Sequence, residues 1–337
     1  MTSPRYQDAG VNRSAAEEAI DRIIPILKRT HGPNVLGGIG GFSALYQLSG
    51  FNDPVLVSST DGVGTKLKLA IELSKYNTIG EDLVNACLND VIVSGAKPLF
   101  FLDYIAVGSL DPSVIEKIIT GMSLACEKSE CSIIGGEMAE MPGLYTKGDF
   151  DLAGFAVGAV ERKKILSPSK VVSGDLMIGL PSNGLHTNGY SLIRAALGLD
   201  DDPGPLRKYH PELEATLGEA LLEPHTAYWP AVKMVLDRVK SMAHITGGGL
   251  IDNVPRALPV NLSAAFDSTT WDLPPIFPLI QDQCGIDTGE MYRVFNMGIG
   301  MLLVCASDQA DSIISEIPSA TIVGEVIETG GGARVML

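Results

Sequence analysis

The sequence predicts two mixed α/β domains that face each other across a cleft. The chain has 337 residues, which is more than a single hydrophobic core usually serves. Helical and strand patterns alternate through both halves, and the pattern restarts after a polar stretch at residues 162–174. We therefore expect one domain over residues 1–166 and a second over residues 167–337, with the functional site between them.

The first half shows patterns for three helices and four strands. Its first helix begins with a capping-box pair, Ser14 and Glu17, and its apolar residues recur at helical spacing. The third helix opens with Pro112, which suits the first turn of a helix. The predicted helices are residues 14–31, 78–94 and 112–128, and the predicted strands are residues 54–59, 99–107, 131–134 and 151–161.

The second half shows more strands than helices. A segment rich in Asp, Pro and Gly, residues 200–211, predicts a surface loop. The predicted strands are residues 176–180, 243–246, 262–266, 299–305 and 321–327, and the clearest helices are residues 190–197 and 250–257.

Composition and charge exclude several classes of protein. Hydrophobic residues make up 45% of the chain and charged residues 19%, which predicts a globular protein. The net charge of −15 disfavours nucleic-acid partners and acidic membranes. The longest apolar stretches fall short of the ~20 residues that span a bilayer. Five cysteines without CxxC spacing argue against a disulfide framework or zinc. These features favour a cytoplasmic location.

The segment Ser58-Ser-Thr-Asp-Gly-Val-Gly-Thr-Lys66 predicts a phosphate site at the end of a strand. Gly62 and Gly64 would let backbone amides approach an anion, and Asp61, Thr65 and Lys66 would face the phosphates or their metal ion. The segment matches neither a Walker A loop nor a dinucleotide fingerprint. The alternative is a tight turn with solvated charges.

Two more carboxylates extend this candidate site. Asp90 lies between apolar neighbours on a predicted helix, and Glu137 follows a strand in Gly135-Gly-Glu137. A buried charge is costly unless it is paired or bound to a metal. We therefore predict that Asp61, Asp90 and Glu137 bind Mg²⁺. Taken singly, each is as well explained as a cap or a solvated charge.

The segment Ser182-Asn-Gly-Leu-His-Thr-Asn-Gly189 connects a predicted strand to a helix and predicts a substrate site. Such connections favour anions at the helix N-terminus. His186 is the acid–base candidate because the ordinary pKa of histidine is near neutrality. The alternative is a structural histidine. The candidate substrate-binding residues of this segment are Ser182, Asn183, His186, Thr187 and Asn188.

Three further features complete the candidate site. Gly247, Gly248 and Gly249 end a predicted strand and would hold a substrate phosphate. Arg293 is either an anion clamp or a surface residue. The glycine-rich stretch near residue 40 is expected to contact ATP phosphates through Gly37, Gly38, Gly40 and Gly41.

The motifs together resemble the aminoimidazole ribonucleotide synthetase family, from about residue 6 to about residue 328. Specificity comes from their number and order, because no single motif would decide the match. Examples are Thr60-Asp-Gly-Val-Gly-Thr-Lys66 and His186-Thr-Asn-Gly-Tyr-Ser191. The matching segments are residues 6–11, 37–42, 60–66, 89–90, 100–104, 135–137, 139–142, 186–191, 246–249 and 292–296.

The resemblance implies a fold, a partner and a reaction. It implies an N-terminal half-barrel sheet that pairs with the same sheet of a second subunit in a homodimer, beside a C-terminal α/β layer. The implied reaction is the ATP-dependent cyclisation of formylglycinamidine ribonucleotide to aminoimidazole ribonucleotide in purine biosynthesis, with ADP and phosphate released. The implied ligands are ATP and Mg²⁺, and His186 and Lys66 are the implied catalytic residues.

Three other readings remain open at this point. Selenophosphate synthetase is similar but carries a reactive Cys or selenocysteine near its N-terminus, whereas the first cysteine here is Cys87. A thiamine-monophosphate kinase would not be expected to match residues 139–142 and 186–191 together. A non-catalytic regulator with this fold would be expected to lose acidic ligands.

Overall fold

A computed structural model describes residues 9–337, and Tyr6, Gln7 and Asp8 of the first matching motif lie outside the described residues. The elements of the first half are α1 (Arg13–Lys28), β1 (Val35–Leu36), β2 (Leu45–Tyr46), β3 (Pro54–Gly62), α2 (Lys66–Leu73), α3 (Asn77–Ile92), β4 (Lys97–Val107), α4 (Pro112–Lys128), β5 (Ser132–Glu140) and β6 (Phe150–Glu161).

The second half is richer in short elements. They are β7 (Leu176–Pro181), α5 (Tyr190–Ala196), β8 (Tyr209–His210), β9 (Ala215–Thr216), α6 (Leu217–Leu221), α7 (Trp229–Val232), β10 (Val239–His244), α8 (Gly249–Asn253), β11 (Leu262–Phe266), α9 (Ile276–Cys284), α10 (Thr288–Val294), β12 (Ile299–Cys305), α11 (Ala310–Glu316), β13 (Thr321–Glu328) and β14 (Val335–Met336).

The first half is built on a four-stranded sheet with the order β3–β6–β4–β5. The β4–β5 pair is parallel, and the other two pairs are antiparallel. Helix α3 packs on one face, where Phe101 is fully buried. The opposite face leaves Leu56, Tyr104 and Phe155 exposed by 62%, 41% and 42%. This sheet therefore has one covered face and one open apolar face.

The second half is built on a six-stranded sheet with the order β10–β12–β7–β13–β11–β14. All seven residues of β12 are buried. Separate apolar clusters lie on the two faces of the sheet, one with α11 and the other with α8. A strand that is covered on both faces has a continuous apolar sequence rather than an alternating one. The predicted bounds of β12 therefore agree with the observed ones.

The two halves share a core. Apolar residues of α2 pack in the same cluster as residues of α5, α6 and α9, for example Leu67 with Ile193 and Phe277. Leu166 lies within the polar stretch at residues 162–174, yet its side chain is buried in the core of the second half. The boundary at residues 166 and 167 stays a prediction, and the chain around it is packed rather than loose.

Several boundaries differ from the sequence predictions. Helix α1 begins at Arg13 with Asn12 as its cap, whose side chain accepts a hydrogen bond from Ala15 N; the predicted pair of Ser14 and Glu17 is not the cap. Helix α2 was not predicted. Strand β10 ends at His244 rather than residue 246, and α8 gives way to a 3-10 turn, Val254–Ala257. Residues 204–207, predicted as loop, form another such turn.

Helices α3 and α4 pack closely at Gly80 and Gly121, and this contact leaves no space for an added methyl group. A Cβ atom at Gly121 would lie 1.8 Å from the carbonyl oxygen of Asn77. We expect Gly121→Ala to lower the free energy of unfolding by about 1–3 kcal/mol or more, the usual cost of overpacking. Gly32→Ala is the control, because no heavy atom of the described residues, apart from its own chain neighbours, lies within 4 Å of its Cβ position. Equal denaturant midpoints for the two variants would contradict the prediction.

No helix among residues 9–337 is long and apolar enough to cross a membrane.

Candidate active site

The connection from β3 to α2 places Asp61 at the end of a strand, in an exposed position. Its Oδ1 atom accepts a hydrogen bond from the backbone nitrogen of Gly62 at 2.8 Å. Gly64 then turns the chain with a φ of 71°, which favours glycine. The carboxylate of Asp61 is thus fixed by its own backbone and open to solvent.

Asp90 is the partner of Asp61 on helix α3. His244 Nδ1 donates to Asp90 Oδ1 at 2.8 Å, and Ser59 donates to Asp90 Oδ2 at 3.3 Å. Burial opposes the ionisation of Asp90, but these hydrogen bonds outweigh it and lower the pKa of Asp90. Although Asp61 is exposed, partial desolvation of its carboxyl by the surrounding protein, helped by the nearby charge of Asp90, raises the pKa of Asp61. The two carboxylates therefore lie close enough to influence each other.

Glu137 does not join this pair. It lies on β5, exposed, and lines a different part of the surface. Among residues 9–337, no three His, Cys, Asp or Glu side chains converge as a preformed metal site. The predicted three-carboxylate metal site is therefore not assembled as such. A pair of carboxylates still suits Mg²⁺, which keeps water and phosphate oxygens among its ligands.

A cleft of about 960 Å³ opens beside Glu137. The glycine-rich stretch forms one wall with Gly38, Gly40 and Gly41, while α1, α4 and β5 supply apolar walls. Asp103 also lines it, and burial, with a further contribution from the charge of Glu137, raises the pKa of this carboxyl to about 7. The cleft has the size and the mixed lining of a small-molecule site. Gly37, also predicted to contact phosphate, is exposed and has a φ of 100°.

Lys66 is fully buried, which does not fit the predicted phosphate contact. Its Nζ atom donates to Asp82 Oδ1 at 2.9 Å, to the carbonyl oxygen of His186 at 3.0 Å and to that of Glu223 at 2.8 Å. Burial lowers the pKa of Lys66, opposed by the charge of Asp82. Lys66 is not available to a phosphate group, because all three protons of its ammonium group already have acceptors inside the protein.

His186 is also buried, with 1% of its surface exposed. Its Nε2 atom lies 3.3 Å from Thr226 Oγ1, and Thr226 donates onward to Asn183 Oδ1. Nε2 therefore carries the proton. Nδ1 is buried and has no hydrogen-bond partner among the described residues. Burial lowers the pKa of His186 well below its usual value. The ring reaches no open surface here, so the structure favours the structural alternative over a general base.

His225 and His244 continue the same buried cluster. His225 stacks on His186 with 3.9 Å between ring centroids, and His225 Nε2 lies 2.9 Å from His244 Nε2. Because Asp90 accepts from His244 Nδ1, His244 Nε2 is the acceptor from His225 when both rings are neutral. Burial lowers the pKa of His225 well below its usual value. Asp90, His244 and His225 thus form one hydrogen-bonded row.

Two of the predicted substrate segments converge. Gly247 lies beside Asn188, whose Oδ1 atom would be 3.2 Å from a Cβ atom added at Gly247. Thr187 is half-buried in the same connection. Ser182 donates instead to Asn296 Oδ1 at 2.7 Å inside the protein, and Asn183 donates to the carbonyl oxygen of Pro224 at 2.6 Å. Ser182 and Asn183 therefore brace the connection.

Gly248 and Gly249 have φ values of 95° and 55°, and a Cβ atom at Gly249 would lie 2.1 Å from the carbonyl oxygen of Tyr292. These two glycines are thus needed by the backbone path itself. Arg293 is exposed and lines a separate cleft of about 420 Å³ with Thr288 and Tyr292. The structure does not bring Arg293 to the carboxylate pair.

Two family models match, and they cover most of the chain. The N-terminal domain of AIR synthase related proteins matches residues 43–160, and their C-terminal domain matches residues 172–336. The chain belongs to this family.

Similar proteins extend the match to nearly the whole length of this AIR synthase related protein. A phosphoribosylformylglycinamidine cyclo-ligase of Carboxydothermus hydrogenoformans is 48% identical, covering 100% of this chain and 99% of the relative. One of Thermoanaerobacter pseudethanolicus is 45% identical, covering 97% and 98%.

Solved structures show the same fold at lower identity. The thiamine-monophosphate kinase of Stenotrophomonas maltophilia has a TM-score of 0.66 and 19% identity, with 95% of each chain covered. A hydrogenase maturation protein, HypE, in complex with ATP has a TM-score of 0.62 and 16% identity, covering 99% of this chain and 91% of that one. The predicted two-part α/β fold is confirmed, and the pairing of two subunits stays a prediction.

No role was predicted for several residues of this family member's site, and Asn89 entered only as part of a segment that matches the family. Asp82, Asn85 and Asn89 are buried on α3, where they bind the backbone of residues 225, 226 and 228. Asn85 donates to the carbonyl oxygen of His225 at 2.6 Å, and Asn89 donates to that of Thr226 at 2.9 Å. The signal was a polar stripe at helical spacing on an otherwise apolar helix. His225 gave no comparable signal.

Proposed function

We propose that this chain catalyses the ATP-dependent cyclisation of formylglycinamidine ribonucleotide to aminoimidazole ribonucleotide in purine biosynthesis, releasing ADP and phosphate. The observation that carries this proposal is identity of 45–48% to phosphoribosylformylglycinamidine cyclo-ligases over nearly the whole of both chains. Both family domains match, so the similarity does not depend on one domain alone.

The proposed chemistry moves a phosphoryl group and then closes a ring. The formyl oxygen of the substrate attacks the γ-phosphorus of ATP, and ADP leaves. The ribose-bearing nitrogen of the amidine then attacks the formyl carbon, one proton leaves that nitrogen and one leaves the formamide nitrogen, and phosphate leaves with the former formyl oxygen. Phosphoryl transfer depends on positioning and charge neutralisation. We assign these tasks to Asp61 at the end of β3, to Asp90 on the neighbouring helix α3, and to the glycine-lined cleft.

We propose that Mg²⁺ binds with ATP and that Asp61 and Asp90 hold it, whereas Glu137, which lines the cleft away from this pair, would face the nucleotide there. The charge pattern supports this placement. Asp61 is exposed, and the hydrogen bonds on Asp90 favour its ionised form. Bound Mg²⁺ would neutralise phosphate charge in a protein whose net charge is −15. Gly62, Gly64 and Thr65 would border the phosphates.

The proposed substrate site is the convergence of two connections, residues 186–188 and 246–249. They lie on the second half of the chain, next to His244 and hence next to Asp90. His186, which is buried directly before residues 187–188, would hold this connection in shape rather than exchange protons with the substrate.

We therefore expect His186→Ala to lower the thermal midpoint and weaken substrate binding while saturated turnover stays within about threefold of wild type. A general base would contribute typically ~10²–10⁴-fold, so the two roles differ by a wide margin. Saturated turnover, the KM for each substrate and the thermal midpoint should be measured on the one variant. A hundredfold loss of saturated turnover with an unchanged midpoint would restore the general-base role.

We also propose that the protein is a cytoplasmic homodimer assembled through the open face of the four-stranded sheet. That face exposes Leu56, Tyr104 and Phe155, and exposed apolar clusters of this kind mark interaction sites. A sheet with one uncovered apolar face gains stability when a second sheet packs on it.

Phe155→Glu is expected to convert the dimer to a monomer, because it places a charge in the centre of the proposed interface. Light scattering at micromolar concentration should give twice 35.7 kDa for the wild type and 35.7 kDa for the variant. Val260→Glu is the control, since Val260 is 85% exposed and lies on the other half of the chain. A monomeric wild type, or a variant that stays dimeric, would contradict this assembly.

The function is tested by coupled measurement of ADP release. We expect ADP release that requires formylglycinamidine ribonucleotide, with stoichiometric formation of aminoimidazole ribonucleotide. Thiamine monophosphate is the comparison substrate, because a thiamine-monophosphate kinase shares the fold. ADP release with thiamine monophosphate alone would replace the proposed function with a kinase.

A further inference from the structure

We propose that the β3–α2 connection holds the β7–α5 connection in its substrate-binding shape, with Lys66 as the positioning residue and a contact between Thr65 and Ser191 as a second tether. This inference rests on the proposed function and assigns Lys66 to the binding of formylglycinamidine ribonucleotide rather than of ATP.

Lys66 links three parts of the chain from a position with no exposed surface. Its ammonium group joins Asp82 of α3 to the carbonyl oxygens of His186 and Glu223. An ammonium group has three protons, and each has an acceptor here. A phosphate contact would therefore require at least one buried hydrogen bond to break, and would leave a carbonyl or Asp82 without its partner.

The carbonyl oxygen of His186 is where this link acts on the substrate site. His186 has a φ of 60°, a backbone conformation that non-glycine residues rarely adopt. Lys66 Nζ donates to that oxygen at 3.0 Å. The single hydroxyl proton of Tyr190 points to the carbonyl oxygen of Leu221 at 2.5 Å, so the Tyr190 hydroxyl, 3.2 Å from the His186 carbonyl oxygen, is at most a weak second donor there. Lys66 is thus the main donor that holds the peptide unit after His186, and Thr187 and Asn188 follow directly. Loss of the ammonium group would free the chain to leave this strained conformation.

The second tether lies one residue earlier in the chain. Thr65 Oγ1 and Ser191 Oγ are 2.9 Å apart and join the start of α2 to the first turn of α5. Both residues are exposed, so this contact can be removed without opening the core. Asp61 lies four residues before Thr65 and takes no part in this contact, so the tether acts on residues 187–188 rather than on the proposed nucleotide site.

The test is a comparison of the two Michaelis constants in a variant without the buried ion pair. Lys66→Met/Asp82→Asn removes both charges, because Lys66→Met alone would leave a buried carboxylate unpaired. We expect the KM for formylglycinamidine ribonucleotide to rise about tenfold or more, within the range typical of coupled sites. The KM for ATP should stay within about threefold. Lys66→Arg should keep part of the substrate affinity.

Lys68→Met is the matched control. Lys68 lies on the same helix, its side chain is 52% exposed, and it pairs with Asp149. Both Michaelis constants should stay at wild-type values in this variant. Wild-type enzyme without substrate-dependent ADP release would refute the proposed function, whereas an active wild type with the wrong pattern in the double variant refutes only this inference.

Three patterns would overturn the inference: a KM for ATP that rises about tenfold, equal changes in both constants, or no change in either. If the double variant does not fold, Ser191→Ala decides. Its exposed contact should be lost with little change in thermal midpoint, and the KM for formylglycinamidine ribonucleotide should rise at least about threefold while that for ATP does not. An unchanged substrate KM in Ser191→Ala would overturn the coupling between the two connections.

Discussion

Asp61→Asn is expected to lower saturated turnover by about 10²- to 10³-fold, the usual effect of removing one main electrostatic group from an active site. The substitution removes a negative charge and keeps the shape of the side chain. Asp61 is exposed and accepts one backbone hydrogen bond, which the amide oxygen of asparagine can also accept. The fold should therefore survive, and the thermal midpoint should change little.

Asp151→Asn provides a matched control for Asp61→Asn. Asp151 is also exposed, lies on a strand of the same sheet, and accepts a hydrogen bond from the backbone nitrogen of the next residue at 2.8 Å. It has no place in the proposed ATP site, so its turnover should match wild type. Near wild-type turnover in Asp61→Asn would remove the metal assignment, and a parallel loss in both variants would point to a general effect of charge.

His244→Asn should weaken the apparent affinity for Mg²⁺ by about 10- to 100-fold, the effect typical of a residue that orients a metal ligand. His244 Nδ1 donates the shorter of the two side-chain hydrogen bonds on Asp90, and His225 fixes the other side of the ring. Without the imidazole, Asp90 loses its main donor. The Mg²⁺ concentration for half-maximal turnover should rise, and turnover at saturating Mg²⁺ should recover in part.

His31→Asn is the comparison for His244→Asn. His31 Nε2 contacts a backbone carbonyl, that of Ile133, at 2.8 Å, and His31 pairs with no carboxylate among residues 9–337. Its Mg²⁺ dependence should equal that of wild type. If His244→Asn shows a wild-type Mg²⁺ requirement with reduced turnover at every Mg²⁺ concentration, His244 acts on the reaction by a route other than Asp90.

Local sequence patterns predicted the elements that have strong local causes. Helix α4 has a proline in its first turn, and β12 is a continuous apolar run, so both were predicted with their observed bounds. The positions of Asp61 at a strand end and of Asp90 on an apolar helix could also be predicted, because a charged residue between apolar neighbours is a clear local signal. Helix α2 was missed because its eight residues directly follow a glycine turn that dominated the pattern.

The environment of Lys66 could not be predicted from the sequence. Two of its three acceptors are backbone carbonyls, at residues 186 and 223, and every residue type offers a backbone carbonyl. Its charged partner, Asp82, is sixteen residues away on the next helix. The same limit applies to His225, whose neighbours come from three distant segments. A lysine beside two glycines looks alike in sequence whether it faces a phosphate or the protein interior.

The burial of Lys66 also makes it a natural reporter of separation between the two halves of the chain. Amine-directed acylating reagents attack the uncharged, accessible form of lysine, and in the closed fold Lys66 offers no surface to them, while Lys68, two residues away, is half exposed. Labelling at residue 66 would therefore proceed only through openings that part α2 from the connections at residues 186 and 223. The ratio of label at these neighbouring lysines would measure how often the interface between the halves opens.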